Sequence, residues 1–332
     1  MSIQPCALFA VEPGIFNIVY AGEPRQRIEP QVDIIGGPMG KDESTTFPRL
    51  SEVEVLFLSW GSPRMDEEWL ARMPRLRAVF YGAGSIKGVV SDAFWARDIP
   101  ISSAYTANAI PVAEYAHAVI LLSLKRFWTY ERTAFRERRW PGYVVAPGAY
   151  RSTVGLVGLG AIGRLVAAKL RSSDVHVLAY DPVVAPKEAD ALGVRLVGLE
   201  ELFCRADVVS LHAPHLPSTH GMITGALIAS MKPNATLVNT ARGALIRESE
   251  LVTVLRGRPD LAAVLDITDP EPPVADSPLF DLPNVLLTPH IAGSMGEECK
   301  RMGVYMAEEL ARFLAGQSLQ FQITREQGQR MA

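Results

Sequence analysis

The sequence contains few cysteines and little excess charge. Three cysteines occur among 332 residues, at positions 6, 204 and 299, without the close pairs typical of disulfide frameworks or zinc sites. An odd number leaves at least one thiol unpaired, which indicates a reducing compartment, and we therefore expect a cytoplasmic protein. The formal net charge is −3 at pH 7. The chain thus lacks the overall attraction to nucleic acid or to an anionic membrane that a basic protein has.

Long apolar segments are also missing. The longest strongly apolar stretch, AVILLSL at 118–124, is far shorter than the ~20 residues needed to cross a bilayer. The N-terminus has no basic segment, and Glu12, Pro13 and Gly14 interrupt its apolar stretch, which argues against a signal peptide or an anchor. The one basic run, 124–139, has glutamates at helical spacing and is interpreted as a solvated helix face. We therefore expect neither nucleic acid nor a membrane as a partner.

What the chain does contain is a repeated alternation of strand and helix patterns. Its 332 residues suit two domains of ~150 residues each. In the first hundred residues, helical patterns at 63–73 and 91–97 lie between apolar runs typical of buried strands, at 32–36, 53–60, 76–82 and 99–104. This alternation predicts a small parallel sheet covered by helices.

A second, stronger series follows a long helix. We expect that helix to begin at Pro111, because proline is favoured in a first turn, and to run to about Arg139. The strands of the second series are expected at 153–158, 175–181, 206–213, 235–241, 261–267 and 284–289. The amphipathic segment 297–316 predicts a last helix that ends at Gly316. It lies outside the second series, and we expect it to return and pack on the first half.

A glycine pattern typical of dinucleotide binding opens the second series. Gly158-x-Gly160-x-x-Gly163 follows a predicted strand and precedes an apolar helix face. Gly158 permits a tight turn, Gly160 lets the backbone approach a pyrophosphate, and Gly163 lets helix and strand pack closely. The helix N-terminus adds free N–H groups. Asp181 ends the next strand, where it would bind ribose hydroxyls and repel a 2′-phosphate, so we expect NAD rather than NADP.

Three charged residues follow later strands of the second half. They are Arg242 in NTARG, Glu271 in DPEP and His290 in TPHIAGS, and ligands of open parallel sheets bind beyond the carboxyl ends of the strands. Arginine holds a carboxylate in a bidentate fork, histidine exchanges a proton, and a carboxylate orients the imidazole. Beside a dinucleotide, this set suits the interconversion of a 2-hydroxy acid and a 2-oxo acid.

Each of the three also has an ordinary interpretation. Arg242 suits a surface arginine, Glu271 a solvated loop residue, and His290 a core histidine bonded to a carbonyl. Asp269 is a rival partner for His290, although spacing and the following Pro272 favour Glu271. No second histidine, cysteine or carboxylate stands at ligand spacing near His290, so no metal site is predicted.

Five motifs occur in the order GLGAIG, LHAPHLPSTHGMI, NTARG, LDITDPEP and TPHIAGS. In these motifs, and over most of its length from 82–84 to 290–294, the chain resembles the D-isomer-specific 2-hydroxyacid dehydrogenase family, which includes phosphoglycerate, glycerate/glyoxylate/hydroxypyruvate and D-lactate dehydrogenases. The resemblance implies that Arg242, Glu271 and His290 are catalytic, with His290 as the acid/base. It implies an NAD site formed by Gly158, Gly160, Ala161, Ile162, Gly163, Asp181, His212, Thr240, Ala241 and Asp266. Asp266 is expected at the nicotinamide carboxamide, and the substrate site is expected to include Ala83, Gly84, Ser85 and Arg242.

The same resemblance implies an architecture. We expect an α/β protein with two doubly wound parallel-sheet domains. A Rossmann NAD-binding domain, residues 106–295, is expected to be inserted in a flavodoxin-like substrate-binding domain, residues 1–105 plus 296–332. The active site is expected in the cleft between them, and the protein is expected to form a homodimer through the NAD-binding domain.

The chain departs from many relatives in the predicted substrate loop. An acidic residue often follows that glycine loop, whereas this chain has Ile86 and Lys87. Lys87 is a candidate for binding a second acidic group such as a phosphate, and Arg64 is a similar candidate; the alternative for both is a solvated side chain. Glutamate at 271 argues against formate-oxidising relatives, which carry glutamine there. Substrates of the 3-phosphoglycerate, glycerate/hydroxypyruvate and glyoxylate types, in either direction, stay open.

Two other hypotheses for the function stay open as well. One is an NAD(H)-sensing regulatory protein that keeps the dehydrogenase fold and binds a protein partner. The other is an oxidoreductase of a different acid, such as phosphite. Among the remaining histidines, His117 and His176 are interpreted as structural, and His215 and His220 are candidates for contact with the cofactor.

Overall fold

The computed structural model describes residues 4–135, 137–140, 142 and 145–331. The chain divides into two compact units. One consists of Met1–Asn108 together with Ser294–Met331, and the other is Ala109–Gly293. The second unit is therefore inserted in the sequence of the first.

The first unit is a five-stranded parallel sheet with helices on it. Its elements are β1 (Cys6–Phe9), α1 (Pro13–Val19), α2 (Glu23–Ile28), β2 (Asp33–Gly36), α3 (Lys41–Thr46), β3 (Val55–Leu58), α4 (Glu67–Ala71), β4 (Ala78–Tyr81), α5 (Asp92–Ala96), β5 (Ile101–Ser103), α13 (Glu298–Leu314) and α14 (Arg325–Arg330). A short 3-10 helix spans Leu50–Glu52. The strand order is β2-β1-β3-β4-β5, which is the flavodoxin-like order.

The strand β1 was not among the four strands predicted for this unit. It belongs to the apolar run 6–11, which stands between Pro5 and Glu12. In the sheet it is internal, since it pairs with β2 on one side and β3 on the other, with Ala7 opposite Val55. The continuous apolar run is typical of a strand buried on both faces.

The last helix packs on the first unit, as predicted. Cys299, Met302, Met306 and Leu310 of α13 share one hydrophobic core with the aromatic residues of β1, β3 and β4, namely Phe9, Phe57 and Phe80. A side chain at Gly303 would stand 2.1 Å from the carbonyl oxygen of Val19, so only glycine allows α13 to approach α1 this closely.

The second unit is a seven-stranded parallel sheet. Its elements are α6 (Tyr105–Leu124), which begins in the first unit, α7 (Phe127–Phe135), β6 (Thr153–Val157), α8 (Ala161–Leu170), β7 (His176–Tyr180), α9 (Pro186–Ala191), β8 (Arg195–Leu196), α10 (Leu199–Arg205), β9 (Val208–Leu211), α11 (Gly225–Ala229), β10 (Thr236–Asn239), α12 (Glu248–Gly257), β11 (Ala262–Leu265) and β12 (Val285–Leu287). Two 3-10 helices span Gly243–Leu245 and Pro278–Asp281. All six predicted strands are present, and the two-residue β8 was not predicted.

The strand order of this sheet is β12-β11-β10-β9-β6-β7-β8. Counted from β6, this is the Rossmann order 3-2-1-4-5-6 with one further strand at the edge beyond β11. The order reverses between β6 and β9, and ligands of such sheets bind outside the carboxyl ends of the strands at that point. The predicted fold, a Rossmann domain inserted in a flavodoxin-like domain, is therefore confirmed.

The prediction of one helix from Pro111 to about Arg139 was wrong. The helix α6 starts at Tyr105, so Pro111 lies inside it, and α7 is a separate helix. The turn before the proline forms because the Asn108 N–H donates to the Ala104 carbonyl at 3.1 Å, while an internal proline removes a single helical hydrogen bond. The break after α6 occurs where the Leu124 carbonyl accepts from Gly148 N–H at 2.9 Å and Arg126 adopts φ +51°.

By length and composition alone, the helix α6 is long and apolar enough to cross a membrane. The apolar run 118–124 predicted no membrane-spanning segment, because the run is shorter than the helix that contains it. In the structure 56% of the apolar stretch of α6 is buried, and Ala113, Ala116 and Ile120 belong to a hydrophobic core with strands β6 and β9. The helix therefore has the burial of a core helix.

Candidate functional site

The glycine loop between β6 and α8 has the geometry that the motif requires. Gly158 adopts φ +99°, and a Cβ there would stand 2.8 Å from the Ala213 nitrogen. A Cβ at Gly163 would stand 2.1 Å from the Gly158 carbonyl oxygen. Around Gly160, by contrast, no heavy atom lies within 4 Å of an added Cβ. Two glycines are thus required by the fold, and the third leaves the open approach that a pyrophosphate needs.

Asp181, one residue after β7, binds the glycine loop directly. Its Oδ2 accepts from Leu159 N–H at 2.8 Å, and its Oδ1 accepts from Val183 N–H at 2.9 Å. The carboxylate therefore connects the loop to the end of β7. An ionised carboxylate has further lone pairs, so the expected contact with a ribose hydroxyl stays a prediction.

The residues after β9 and β10 include buried polar atoms that lack a partner. His212 follows β9 beside the glycine loop, and neither of its ring nitrogens has a hydrogen-bond partner among the described residues. Burial lowers the pKa of His212 to about 4, so the ring is neutral at pH 7. Thr240 Oγ1, after β10, is also buried and unpartnered in the described part of the chain, and Ala241 is buried next to it. Orphaned polar atoms at the sheet's switch point fit a site for a dinucleotide.

Two of the three candidate catalytic residues are in direct contact. His290 Nδ1 lies 2.5 Å from Glu271 Oε1, and both side chains are about half exposed, at 51% and 42%. Glu271 stands in the loop after β11, and His290 follows β12. The imidazole thus pairs with Glu271 and not with the rival Asp269. The geometry thus leaves Nε2 of His290 as the ring atom for a reacting group.

Arg242 follows β10 and forms the N-cap of the 3-10 helix Gly243–Leu245. Its turn is held by Asn239, whose side chain accepts from Ala241 N–H at 3.0 Å and donates to the Arg242 carbonyl at 2.9 Å. Burial lowers the pKa of Arg242, and the Glu271 carboxylate acts in the opposite direction. An arginine has such a high pKa that it stays charged. A half-buried cation next to a carboxylate–imidazole pair is suited to binding a carboxylate substrate.

Asp266 is buried and accepts hydrogen bonds from the segment around His290. It is 2% exposed, and its carboxylate accepts from the Thr288 hydroxyl at 2.6 Å and from the N–H groups of Ile291 and Ala292 at 2.9 and 3.0 Å. These are the residues on either side of His290. The expected contact with the nicotinamide stays a prediction, while the observed contacts join Asp266 to the turn that carries the histidine.

Sequence reasoning missed two residues around this site. Thr288 was visible just before the Pro-His pair, but nothing in the sequence identified Asp266 as its partner. Glu248, in the first turn of α12, accepts a backbone hydrogen bond from Asp269, and burial raises the pKa of the Glu248 carboxyl. It thereby binds the loop that carries Glu271. A glutamate in a first helical turn is ordinary, so no sequence signal distinguished it.

The candidate substrate residues Ala83, Gly84 and Ser85 belong to the first unit and follow β4. Ser103 Oγ donates to the Gly84 carbonyl at 2.5 Å, while Ser85 Oγ is buried without a partner among the described residues. Arg64 Nε donates to the Val90 carbonyl at 3.1 Å, which places it beside the loop that contains Lys87.

The remaining histidines have simple environments. His117 on α6 lies 3.5 Å from Ser173, and burial lowers its pKa. His176 is exposed at the start of β7. His215 and His220 face each other at 3.3 Å in the exposed loop after β9. Across the described ranges, no group of three or more histidine, cysteine, aspartate or glutamate residues is arranged to hold a metal ion.

The chain is similar to curated dehydrogenases along most of its length. It is 36% identical over 279 residues to D-3-phosphoglycerate dehydrogenase of Mycobacterium tuberculosis, an alignment that covers 84% of this chain and 52% of that protein. It is 35% identical over 253 residues to (S)-sulfolactate dehydrogenase of Chromohalobacter salexigens, covering 76% of this chain and 82% of that protein. The chain therefore spans about half the length of the phosphoglycerate dehydrogenase and most of the length of the other enzyme.

Solved structures share the whole fold. The TT0316 protein of Thermus thermophilus superposes with a TM-score of 0.75 at 28% identity, covering 96% of this chain and 100% of that one. A protein from Xanthobacter autotrophicus in complex with NADPH superposes with a TM-score of 0.77 at 24% identity, covering 98% and 99%. The family model described as D-isomer specific 2-hydroxyacid dehydrogenase, NAD binding domain, matches residues 118–292. This chain belongs to the D-isomer-specific 2-hydroxyacid dehydrogenase family.

Proposed function

We propose that this protein is an NAD-dependent dehydrogenase that interconverts a D-2-hydroxy acid and its 2-oxo acid by hydride transfer. The observation that carries the proposal is the 2.5 Å contact between His290 Nδ1 and Glu271 Oε1 in the loops beyond the sheet that carries the dinucleotide motif. In this proposal residues 106–295 bind NAD, and residues 1–105 plus 296–332 bind the substrate.

Each catalytic residue has a role that follows from its environment. Arg242 binds the substrate carboxylate through its guanidinium fork. Glu271 accepts from Nδ1–H of His290 and so leaves Nε2 to exchange the proton of the substrate oxygen. NAD(H), held by the glycine loop at Gly158, Gly160 and Gly163, would supply the acceptor or donor of the hydride for C2 of the substrate. During oxidation the hydroxyl proton goes to Nε2, and during reduction Nε2 returns it.

The loop after β4 in the first unit is the candidate for further substrate binding. We propose that Ala83, Gly84 and Ser85 offer backbone N–H groups to the substrate, with the buried Ser85 hydroxyl as a further group. Substrates of the glycerate/hydroxypyruvate, glyoxylate and 3-phosphoglycerate types are candidates. The last draws support from the similarity to a phosphoglycerate dehydrogenase, with Arg64 and Lys87 as the nearby cationic residues.

We propose NAD as the preferred cofactor. The support is Asp181, a carboxylate fixed at the end of β7 by bonds to Leu159 and Val183, because a negative charge at this position opposes a 2′-phosphate. Replacement Asp181→Ser should raise the KM for NADH and improve the use of NADPH. Steady-state rates with both cofactors test this, and an unchanged ratio of kcat/KM values would contradict the role of Asp181.

A substrate panel tests the function itself. Purified protein is incubated with NADH or NADPH and with glyoxylate, hydroxypyruvate, 3-phosphohydroxypyruvate, pyruvate or sulfopyruvate, and the loss of reduced-nicotinamide absorbance is followed. Turnover of at least one acid is expected. Formation of NADH from NAD in the presence of phosphite would support the hypothesis that the protein oxidises a different acid. Tight NADH binding without any turnover would favour the NAD(H)-sensing regulatory protein.

We also propose a cytoplasmic homodimer that forms through the NAD-binding unit. The support for the dimer is an exposed aromatic segment in that unit, where Phe135 is 77% and Trp140 is 88% exposed, and where Phe127, Val145 and Tyr150 are exposed as well. Such clustered apolar exposure is typical of an interaction surface. Light scattering after gel filtration should give a dimer for the wild type and more monomer for Trp140→Ser.

A further inference from the structure

The candidate acid/base residue has an unusual backbone. His290 adopts φ +53°, the left-handed region that residues other than glycine, asparagine and aspartate rarely occupy. A residue in this region stays there only when its surroundings hold it. The direction of the imidazole towards Glu271 therefore depends on whatever fixes this turn.

The turn is held by one buried residue. The backbone carbonyl of Asp266 accepts from His290 N–H at 3.0 Å. The carboxylate of Asp266 accepts from the next two N–H groups, those of Ile291 and Ala292. Three consecutive backbone N–H groups thus converge on Asp266, so its position determines the position of the His290 turn.

Asp266 is in turn held by a pair of hydroxyl groups. The Thr288 hydroxyl lies 2.6 Å from Asp266 Oδ1, and the Tyr115 hydroxyl lies 2.9 Å from Thr288 Oγ1. The Thr288 hydroxyl donates its single proton to Asp266 Oδ1. Tyr115 must then be the donor to Thr288. The bonds run in one direction, from α6 through Thr288 to Asp266.

We propose that Tyr115 and Thr288 are positioning residues, which act through Asp266 to hold the His290 imidazole against Glu271. Neither touches the reacting atoms. The proposal rests on the proposed function for its catalytic consequence, but the position of the histidine ring is a property of the protein alone. The two can therefore be tested separately.

The main variant is Thr288→Val, which keeps the shape of the side chain and removes the hydroxyl. We expect kcat to fall about tenfold, with a changed pH profile of kcat, because the acid/base group is displaced. NADH affinity, measured by fluorescence, should stay close to that of the wild type, because the glycine loop and Asp181 are untouched. Thr288→Ser, which restores the hydroxyl, should recover most of the activity. Tyr115→Phe should have a smaller effect, about threefold, because it removes only the outer bond.

Matched controls separate this role from general destabilisation. Thr253→Val removes an exposed hydroxyl of α12 that donates to Ser249, and Tyr305→Phe alters a tyrosine of α13 that stacks on Phe321. Neither should change kcat or its pH profile. If Thr288→Val lowers only the melting temperature and leaves the pH profile and kcat as in the wild type, the positioning role is wrong.

A readout without turnover keeps the inference independent of the proposed function. In ¹³C-labelled protein at fixed pH, the His290 ring resonance should shift or broaden in Thr288→Val and stay unchanged in Thr253→Val. A shift in a protein that reduces no acid would support the positioning network while contradicting the proposed function. An unchanged His290 resonance in an active enzyme would overturn the network and leave the function intact.

Discussion

The two sheets of this protein share a doubly wound parallel topology but present different chemistry at the carboxyl ends of their strands. In the second unit these ends are followed by ionisable side chains, among them Asp181, Arg242 and His290. In the first unit the strand ends carry glycine and hydroxyl groups, such as Gly84 and Ser85 after β4 and Ser103 at the end of β5. The same architecture thus places ionisable groups after the strands of one sheet, and small hydrogen-bonding groups at the strand ends of the other. Two sheets of the same topology therefore differ in chemistry through the residues at their strand ends.

The largest effect that this comparison predicts is at His290. His290→Ala should lower kcat by ~10²–10⁴, since positioned acid/base catalysis contributes that factor. NADH affinity should be kept, because the glycine loop is untouched. Steady-state kinetics and NADH titration measure both quantities, with the exposed His176→Ala as a control. Normal turnover by the His290 variant would contradict the proposal that His290 exchanges the proton of the substrate.

The next largest effect is expected at Arg242. Arg242→Lys keeps the charge but loses the planar fork, so kcat/KM should fall by about 10–100-fold, mostly through a higher KM for the acid. Arg256→Lys, an exposed position of α12, provides the matched control. If both variants behave like the wild type, the carboxylate of the substrate binds elsewhere.

A third prediction concerns stability and pH in the second unit. His212 stays neutral in the folded state down to a pKa of about 4, whereas it takes up a proton below pH 6.5 when unfolded. The neutral His212 ring therefore costs no folding free energy above pH 6.5. As the pH falls from 6.5 towards 4, protonation of the unfolded state lowers the free energy of unfolding by up to ~3 kcal/mol. Urea unfolding at pH 7, 6, 5 and 4 should show a shallower loss for His212→Asn than for the wild type. An equal loss in both proteins would contradict the contribution of His212.

The smallest effect is expected in the first unit, at Ser85. Ser85→Ala removes one buried neutral hydroxyl, so the KM of the acid should rise about fivefold or less while kcat stays constant. Ser172→Ala, on an exposed loop, is the control. A loss of kcat as large as that of His290→Ala would mean that both sheets share in the chemical step.

Much of this architecture was predictable because buried strands and a glycine loop have strong local patterns. Ten strands and the returning helix α13 were expected close to their observed bounds. Of the two missed strands, β8 has only two residues and shows no pattern, whereas β1 lies in the apolar run 6–11, which also fits the short apolar stretch of an N-terminal segment. The start of α6 was predicted six residues too late, at Pro111. This proline lies inside the helix because the turn before it forms its own backbone hydrogen bonds.

The residues of the candidate site could be predicted from the sequence, but the hydrogen bonds between them could not. The motifs place Arg242, Glu271 and His290 after adjacent strands, which is a consequence of parallel topology. Which atoms meet could not be predicted, because hydrogen-bond partners are chosen by residues far apart in sequence. Thr288 and Asp266 are separated by 22 positions, and Tyr115 and Thr288 by 173.

Short-range pattern and spacing are enough to predict the two-domain parallel fold, the dinucleotide loop and the identity of the charged strand-end residues. Three features follow only from the folded chain: the Asp266 carboxylate holds the His290 turn, the His212 ring is buried and neutral, and the Ser85 hydroxyl has no partner in the described part of the chain. These features depend on burial and on contacts between distant segments, and the free energy of burying a polar group is set by the folded surroundings rather than by its neighbours in the chain.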